Sequence, residues 1–317
     1  MGQTQERSSR ADAYTFGVEI ECILPTAAVI RLGICIGAYH HGYPLPAPFP
    51  QGWTAERDGS IHAEYSRETT VEIVSPVMQG AAGVAQVKQV AQTLKDLGAR
   101  VNSTCGFHVH IGAASVADHD EVRQAEWVAK LLYQTAMHET ALYASTGTHR
   151  RENGRYARSI KGFSAQRQLA DAIRKAPKER KAGRLQDGVY HAARHSVLNL
   201  TNLFSQKATV EFRYAAGTVE WVKMLGHIQT CLALAEKATE QAKLDWEGIA
   251  SERTYKQAGA GTRALDRFLY LTGWTKGRRD VGKPQVEMAG WIADLADLKP
   301  VKAELKRLAQ KYDQGAN

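Results

Sequence analysis

The stretch Phe16-Gly17-Val18-Glu19-Ile20-Glu21-Cys22 alternates apolar and polar side chains without a break. A period of two marks a β-strand. Phe16, Val18, Ile20 and Cys22 fall on one side, and Gly17, Glu19 and Glu21 on the other. Two carboxylates at that spacing stand roughly 7 Å apart along the strand. Like charges so close raise each other's pKa or recruit a cation. A lone pair of this kind would read as a solvated strand face, but the layout recurs three times. Thr70–Pro76 sets Val71 and Ile73 against Glu72. Gly106–Gly112 sets Phe107, Val109 and Ile111 against His108 and His110. Thr209–Tyr214 sets Val210, Phe212 and Tyr214 against Glu211 and Arg213. If these four strands share a sheet whose apolar face packs on helices, the other face gathers four acids (Glu19, Glu21, Glu72, Glu211), two histidines and one arginine. Such a hollow asks for a divalent metal.

The 317 residues, 44% of them hydrophobic, suffice for one large domain or two small ones. No apolar run approaches the 18 or so residues of a membrane span. Met1 to Arg10 is polar and reads as part of a mobile arm, 1–12, rather than a signal peptide. Cys22, Cys35, Cys105 and Cys231 show no paired spacing, so a reduced, cytoplasmic protein is expected. The net charge of +8 is local. Residues 148–194 carry thirteen Lys/Arg against four Asp/Glu, and the rest of the chain is near neutral. That segment can attract a phosphate- or carboxylate-bearing partner, nucleic acid included.

In chain order, the first strand spans about Tyr14–Leu24 and stops at Pro25. A short helix fits within Thr26–Tyr39, followed by the Pro-rich loop Tyr43–Pro50. Trp53–Arg57 reads as a strand and Asp58-Gly59-Ser60 as a tight turn. Val84, Val87, Ala91 and Leu94 form the stripe of a helix that Gly98 ends. Val101–Ser103 is expected to begin a strand. Asp118 with Glu121 suggests the capped start of a long helix, with Val122, Ala125, Ala129, Leu132 and Ala136 inward. Another helix is expected near Ser164–Ala176. A further one carries Val222, Leu225, Ile228, Leu232 and Ala235. Residues 246–317 read as a helical extension, from apolar periodicities at Leu265/Phe268/Leu269, Trp291/Leu295/Leu298 and Leu305/Leu308. The catalytic unit is thus expected over 13–245, with 148–194 as a basic, lid-like segment.

Five motifs in this order, Gly17-Val18-Glu19-Ile20-Glu21, Asp58-Gly59-Ser60, Glu72–Pro76, Gly106–His110 and Thr209–Arg213, resemble the amidoligase family. That family is related to glutamine synthetase and the glutamate–cysteine ligases, a superfamily of carboxylate–amine ligases. The resemblance runs from about Phe16 to Glu220. It implies an α+β fold: a curved, mainly antiparallel sheet like the glutamine synthetase catalytic domain, with helices on its outer face. It also implies ATP and two or three Mg²⁺ or Mn²⁺ ions on the inner face. Carried over, Glu19, Glu21, Glu72, His108 and Glu211 look like metal ligands and Arg213 like the γ-phosphate contact. Glu64, eight residues before Glu72, and Asp58 compete for one further ligand position. His110 resembles a histidine that faces substrate or supports the ligands. Asn199 resembles a family asparagine just upstream of the last acidic strand, with a nucleotide-binding role or that of a turn residue. Arg155, Arg158 and Arg194, nearest the last strand, are candidate phosphate or carboxylate contacts.

The chemistry implied is ATP-dependent amide or isopeptide formation. A substrate carboxylate takes the γ-phosphoryl group, and an amine, free or in a peptide or amino acid, then displaces phosphate. Two other readings fit the residues: a metal-dependent phosphohydrolase or nuclease, and a basic nucleic-acid-binding protein with a structural acidic cluster.

Overall fold

The computed structural model describes residues 13–159, 163–176, 194–203, 205–245 and 295–315. The expected arm 1–12, much of the basic segment (177–193), and Leu265, Phe268, Leu269 and Trp291 lie outside them.

Among the described residues eight strands form one sheet: β1 (Thr15–Pro25), β2 (Tyr43–Pro44), β3 (Thr54–Glu56), β4 (Glu68–Val74), β5 (Met78–Gln79), β6 (Gly106–Gly112), β7 (Leu198–Asn199) and β8 (Thr209–Ala216). Their order is β2-β3-β4-β1-β6-β8-β7, with β5 on the start of β1, and every ladder between them is antiparallel. The fold is α+β, as expected. The first strand therefore lies mid-sheet, between the other Glu strand and the His strand.

The alternation in β1 settles its two faces. Phe16, Val18, Ile20, Cys22 and Leu24 are buried in the main core. Glu19, Glu21 and Ile23 point the other way. Ile23 joins Ile61 and Cys105 in a small separate apolar cluster that closes one end of that face. Against the main apolar face pack α2 (Gly80–Asp96), α4 (Glu121–Ala144) and the helix Trp221–Glu240, joined in one core. The stripe of α2 buries Val87, Val90, Ala91 and Leu94, and its Gly83 leaves room for the Phe16 ring. Gly98, at φ +77°, turns the chain out of the helix.

Three local expectations need correction. Val101–Ser103 is not a strand; Arg100 alone makes a bridge, to Ile23. The cap of α4 is Asp120, whose Oδ1 accepts from the backbone N–H of Val122 (2.8 Å) and Arg123 (3.0 Å). Asp118 instead takes φ +57° after α3 (Ala113–Ala117) and pairs with Arg123 at 2.8 Å. Starting the helix at Glu121 leaves Val122 exposed, while Ala125, Ala129 and Leu132 are buried as expected.

Between α4 and β7 come two helices of the basic segment: the single turn α5 (Arg150–Asn153) and α6 (Phe163–Lys175), which packs on α4. α1 itself spans Thr26–Leu32. The C-terminal helix Leu295–Asp313 inserts Val301, Leu305, Leu308, Ala309 and Tyr312 into the main core. Among the described residues no helix is long and apolar enough to cross a membrane.

Candidate active site

Strand register alone brings the acids and histidines together. Glu21 lies opposite Glu72, and Glu72 opposite Glu56. Glu19 lies opposite His108, His110 opposite Glu211, and Glu211 opposite Asn199. The sheet irregularity between Phe107 and Val109 falls at His108, where β8 carries one extra residue; Arg213 shares the face of Glu211 by plain alternation, while Tyr214 and Ala215 are both buried.

At the centre, His108 Nδ1 is 3.0 Å from Glu19 Oε2 and 3.3 Å from Glu211 Oε1, and its Nε2 is 3.5 Å from Glu21 Oε1. His110 Nε2 is 3.0 Å from Glu19 Oε1. The Gly106 N–H donates to Glu21 Oε2 at 2.5 Å. Asn199 donates to Glu211 Oε2 at 2.6 Å, and its own carbonyl accepts twice from Thr201. Asn199 thus steers Glu211 while its side-chain oxygen ties the turn at Thr201. Arg213 donates to Glu211 at 2.5 Å and to the Tyr156 carbonyl at 3.0 Å. Glu21, Glu72, His108 and Glu211 are all nearly inaccessible to solvent.

Among the described residues three groupings have ligand atoms close enough to share a cation: Glu19/Glu72/His108, Glu19/His110/Glu211 and Glu21/Asp58/Glu72. Asp58, not Glu64, completes the third. Glu64 is exposed and stands 3.5 Å from Arg100, which is clamped by two 2.6 Å bonds to Glu68. The loop before β4 holds it there, since Glu68 also accepts from the N–H of Glu64 and Tyr65.

Two features of the protein bear on whether this donor set could take a cation. His108 Nε2 and His110 Nε2 are buried yet make no hydrogen bond of acceptable geometry. Burial, and then the charges of Glu19, Glu21, Asp58 and Glu56, push the Glu72 carboxyl up to about 11. Without a cation the face has to keep a proton there. Burial also opposes ionisation of Glu19, but His110 and His108 outweigh it and hold its pKa well below the ordinary value. The pKa of His110 is raised, burial being overcome chiefly by Glu19.

Beside the acidic face opens a cavity of about 230 Å³. Tyr39, the Asp58–Ser60 turn, Tyr156, Arg194, His195 and Arg213 line it. Burial first, then the positive charges of Arg213, Arg194, Arg158 and Arg155, lowers the pKa of His195. That is the signature of an electropositive pocket. Arg194 reaches its wall, whereas Arg155 and Arg158 are exposed and Arg155 stacks over Tyr156 at 5.6 Å.

Sequence reasoning missed Glu56, Tyr39, His195 and Arg151. Glu56 was within reach, because the strand at Trp53–Arg57 turns Ala55 inward and so puts Glu56 on the acidic side. The other three sit on loops or a single turn, where no periodicity speaks.

The profile of the family described as "Putative amidoligase enzyme" matches residues 12–235. The chain belongs to the amidoligase family. No curated protein matches it. The match covers every strand that supplies an acid or histidine to the site, and it ends inside the helix Trp221–Glu240. Membership in this amidoligase family makes the chain a ligase-type enzyme.

Proposed function

We propose that this amidoligase is an ATP-dependent carboxylate–amine ligase that works through an acyl phosphate. The observation that carries the reading is the meeting of Glu19, Glu21, Glu72, His108 and Glu211 on one sheet face, with Arg213 beside them. Asp58, in place of Glu64, and His110 complete the groups that would hold Mg²⁺ or Mn²⁺. Oxygen-rich sites with an imidazole suit these ions. Bound there, the cations would neutralise the triphosphate oxygens of ATP.

The protein's own groups then do the following. Arg213, braced by Glu211 and the Tyr156 carbonyl, stabilises negative charge on the transferring phosphoryl group. The cavity at Arg194 and His195 binds the acid substrate; its volume is below the roughly 300–1,000 Å³ of drug-sized sites and suits an amino-acid-sized group. A carboxylate oxygen of that acid bonds to the γ-phosphorus as the bond to ADP breaks. The amine nitrogen next bonds to the activated carbonyl carbon, phosphate leaves with the C–O electron pair, and the nitrogen loses a proton. That proton passes to the departing phosphate. We place the reaction in the cytoplasm.

Hydroxylamine trapping tests this. With ATP, Mg²⁺ or Mn²⁺ and a panel of amino acids and short peptides, hydroxamate and phosphate should form in equal amounts. Glu19→Gln and Glu211→Gln should each lose on the order of a hundredfold or more in rate. Unchanged rates in both variants would overturn the proposal. Cleavage of phosphodiesters without ATP would reassign the same acidic face to hydrolysis.

A further inference from the structure

No motif marks Arg151, yet its guanidinium stands within the site. Its NH2 donates to the Arg213 carbonyl at 2.6 Å. A Cβ built on Gly106 would come within 3.0 Å of that nitrogen and 2.7 Å of His108 Nε2, so the glycine makes room for both groups. Arg151 Nε is buried without a hydrogen bond. Glu21 and Glu211 attract its charge, Arg213 repels it, and burial presses its pKa down. A guanidinium in such a place is costly and has to be held from outside.

Its own element cannot hold it, because α5 is a single turn of four residues. The hold comes from the C-terminal helix. Tyr312 Oη donates to Glu152 at 2.5 Å. His149 Nε2 lies 3.0 Å from the Tyr312 carbonyl, and the two rings stack with centroids 3.8 Å apart. His149 Nδ1 also reaches Glu152 at 3.6 Å. Residues on both sides of Arg151 are thus pinned to one tyrosine some 160 positions later in the chain. That tyrosine lies beyond the family match, which stops at 235.

We infer that Tyr312 is a positioning residue: by fixing α5 it holds Arg151 as a permanent positive charge beside Glu21 and Glu211, and so sets how tightly the acidic face takes up bare divalent cations. The inference rests on the cation-binding reading of that face, and on no assumption about ATP or the organic substrates.

Mn²⁺ alone, titrated calorimetrically into the full-length metal-free protein, tests it. Arg151→Ala removes a like charge from the site, so Mn²⁺ affinity should rise on the order of tenfold. Arg151→Lys keeps the charge and should stay within about threefold of wild type. Tyr312→Phe keeps the ring and loses the bond to Glu152; it should raise affinity by about threefold, and should add nothing in the Arg151→Ala background. General structural damage would lower affinity, the opposite sign. Arg151→Gln takes the place of Arg151→Ala if the latter fails to fold. Unchanged or weakened binding in the charge-removing variant (Arg151→Ala or Arg151→Gln) or in Tyr312→Phe overturns the inference, as does a tenfold rise in Arg151→Lys or a Tyr312→Phe effect that persists without Arg151. Wild-type protein that takes up no Mn²⁺ overturns the cation reading and this inference together.

Discussion

Glu72 is the acid most at odds with its surroundings. The folded, metal-free protein keeps its proton up to about pH 11, whereas the unfolded chain releases it near the ordinary glutamate value, about 4.3. Between those limits the unfolded state binds fewer protons, so stability attributable to this group falls as pH rises. The slope approaches about 1.4 kcal/mol per pH unit. Glu72→Gln should remove that slope, leaving a metal-free variant more stable than wild type at pH 8. Denaturant titrations of the two proteins from pH 5 to 9 measure the difference. Cation binding displaces the same proton, so wild-type Mg²⁺ or Mn²⁺ affinity should climb with pH over that range. Gly106 offers a second residue-scale test. Gly106→Ala should keep the strand but push His108 and Arg151 off their positions, since the new methyl would stand 2.7 and 3.0 Å from them. The expected result is a folded protein, by circular dichroism, in which loss of His108 as a cation-holding group outweighs the relief from a displaced Arg151, so that metal binding and ligase activity fall by tenfold or more, on the order of what a misplaced ligand support costs. At this scale the sequence displays the ligand strands because alternation forces Glu19, Glu21, Glu72, His108 and Glu211 to one side. It hides Arg151, whose place depends on a contact with a residue far away in the chain.

The strands and helices are legible to different depths. Each acid- or histidine-bearing strand reveals itself through period two, and α2 through its stripe and Gly98. The start of α4 does not, because Asp118 and Asp120 both precede the apolar run and only backbone geometry chooses between them. Asp118 takes a positive φ, which breaks any helical path through it. Asp120 is extended and caps two N–H groups. Asp120→Ala should therefore cost about 1 kcal/mol of stability, and Asp118→Ala within about 0.5 kcal/mol, as for an exposed pair. Equilibrium unfolding of the two variants measures it. Val101–Ser103 fails as a strand because pairing with β1 stops after one bridge, in which Arg100 and Ile23 exchange both backbone bonds; the chain then turns at Asn102, whose side-chain oxygen accepts from Thr104 and whose carbonyl accepts from the Cys105 N–H.

On the scale of the whole molecule, family-matched sheet and C-terminal helix are one packed body. Gly226, on the helix Trp221–Glu240, gives its space to Leu305, and Gly147 gives its space to Leu308. Leu305→Ala should cost about 2–5 kcal/mol, the usual range for a buried leucine, although it lies outside the matched region. A thermal or denaturant melt checks this. The apolar spacing of Leu305 and Leu308 announced a helix, but nothing in it said which surface the helix would cover.

The position of β1 has one more consequence. It is flanked on both sides by paired strands, so its central amides should be the last to open to solvent. Glu19 and Glu21 are carried by that backbone. Catalytic competence should therefore vanish at the same denaturant concentration as the cooperative loss of the native state, with no window in which a folded but inactive protein accumulates.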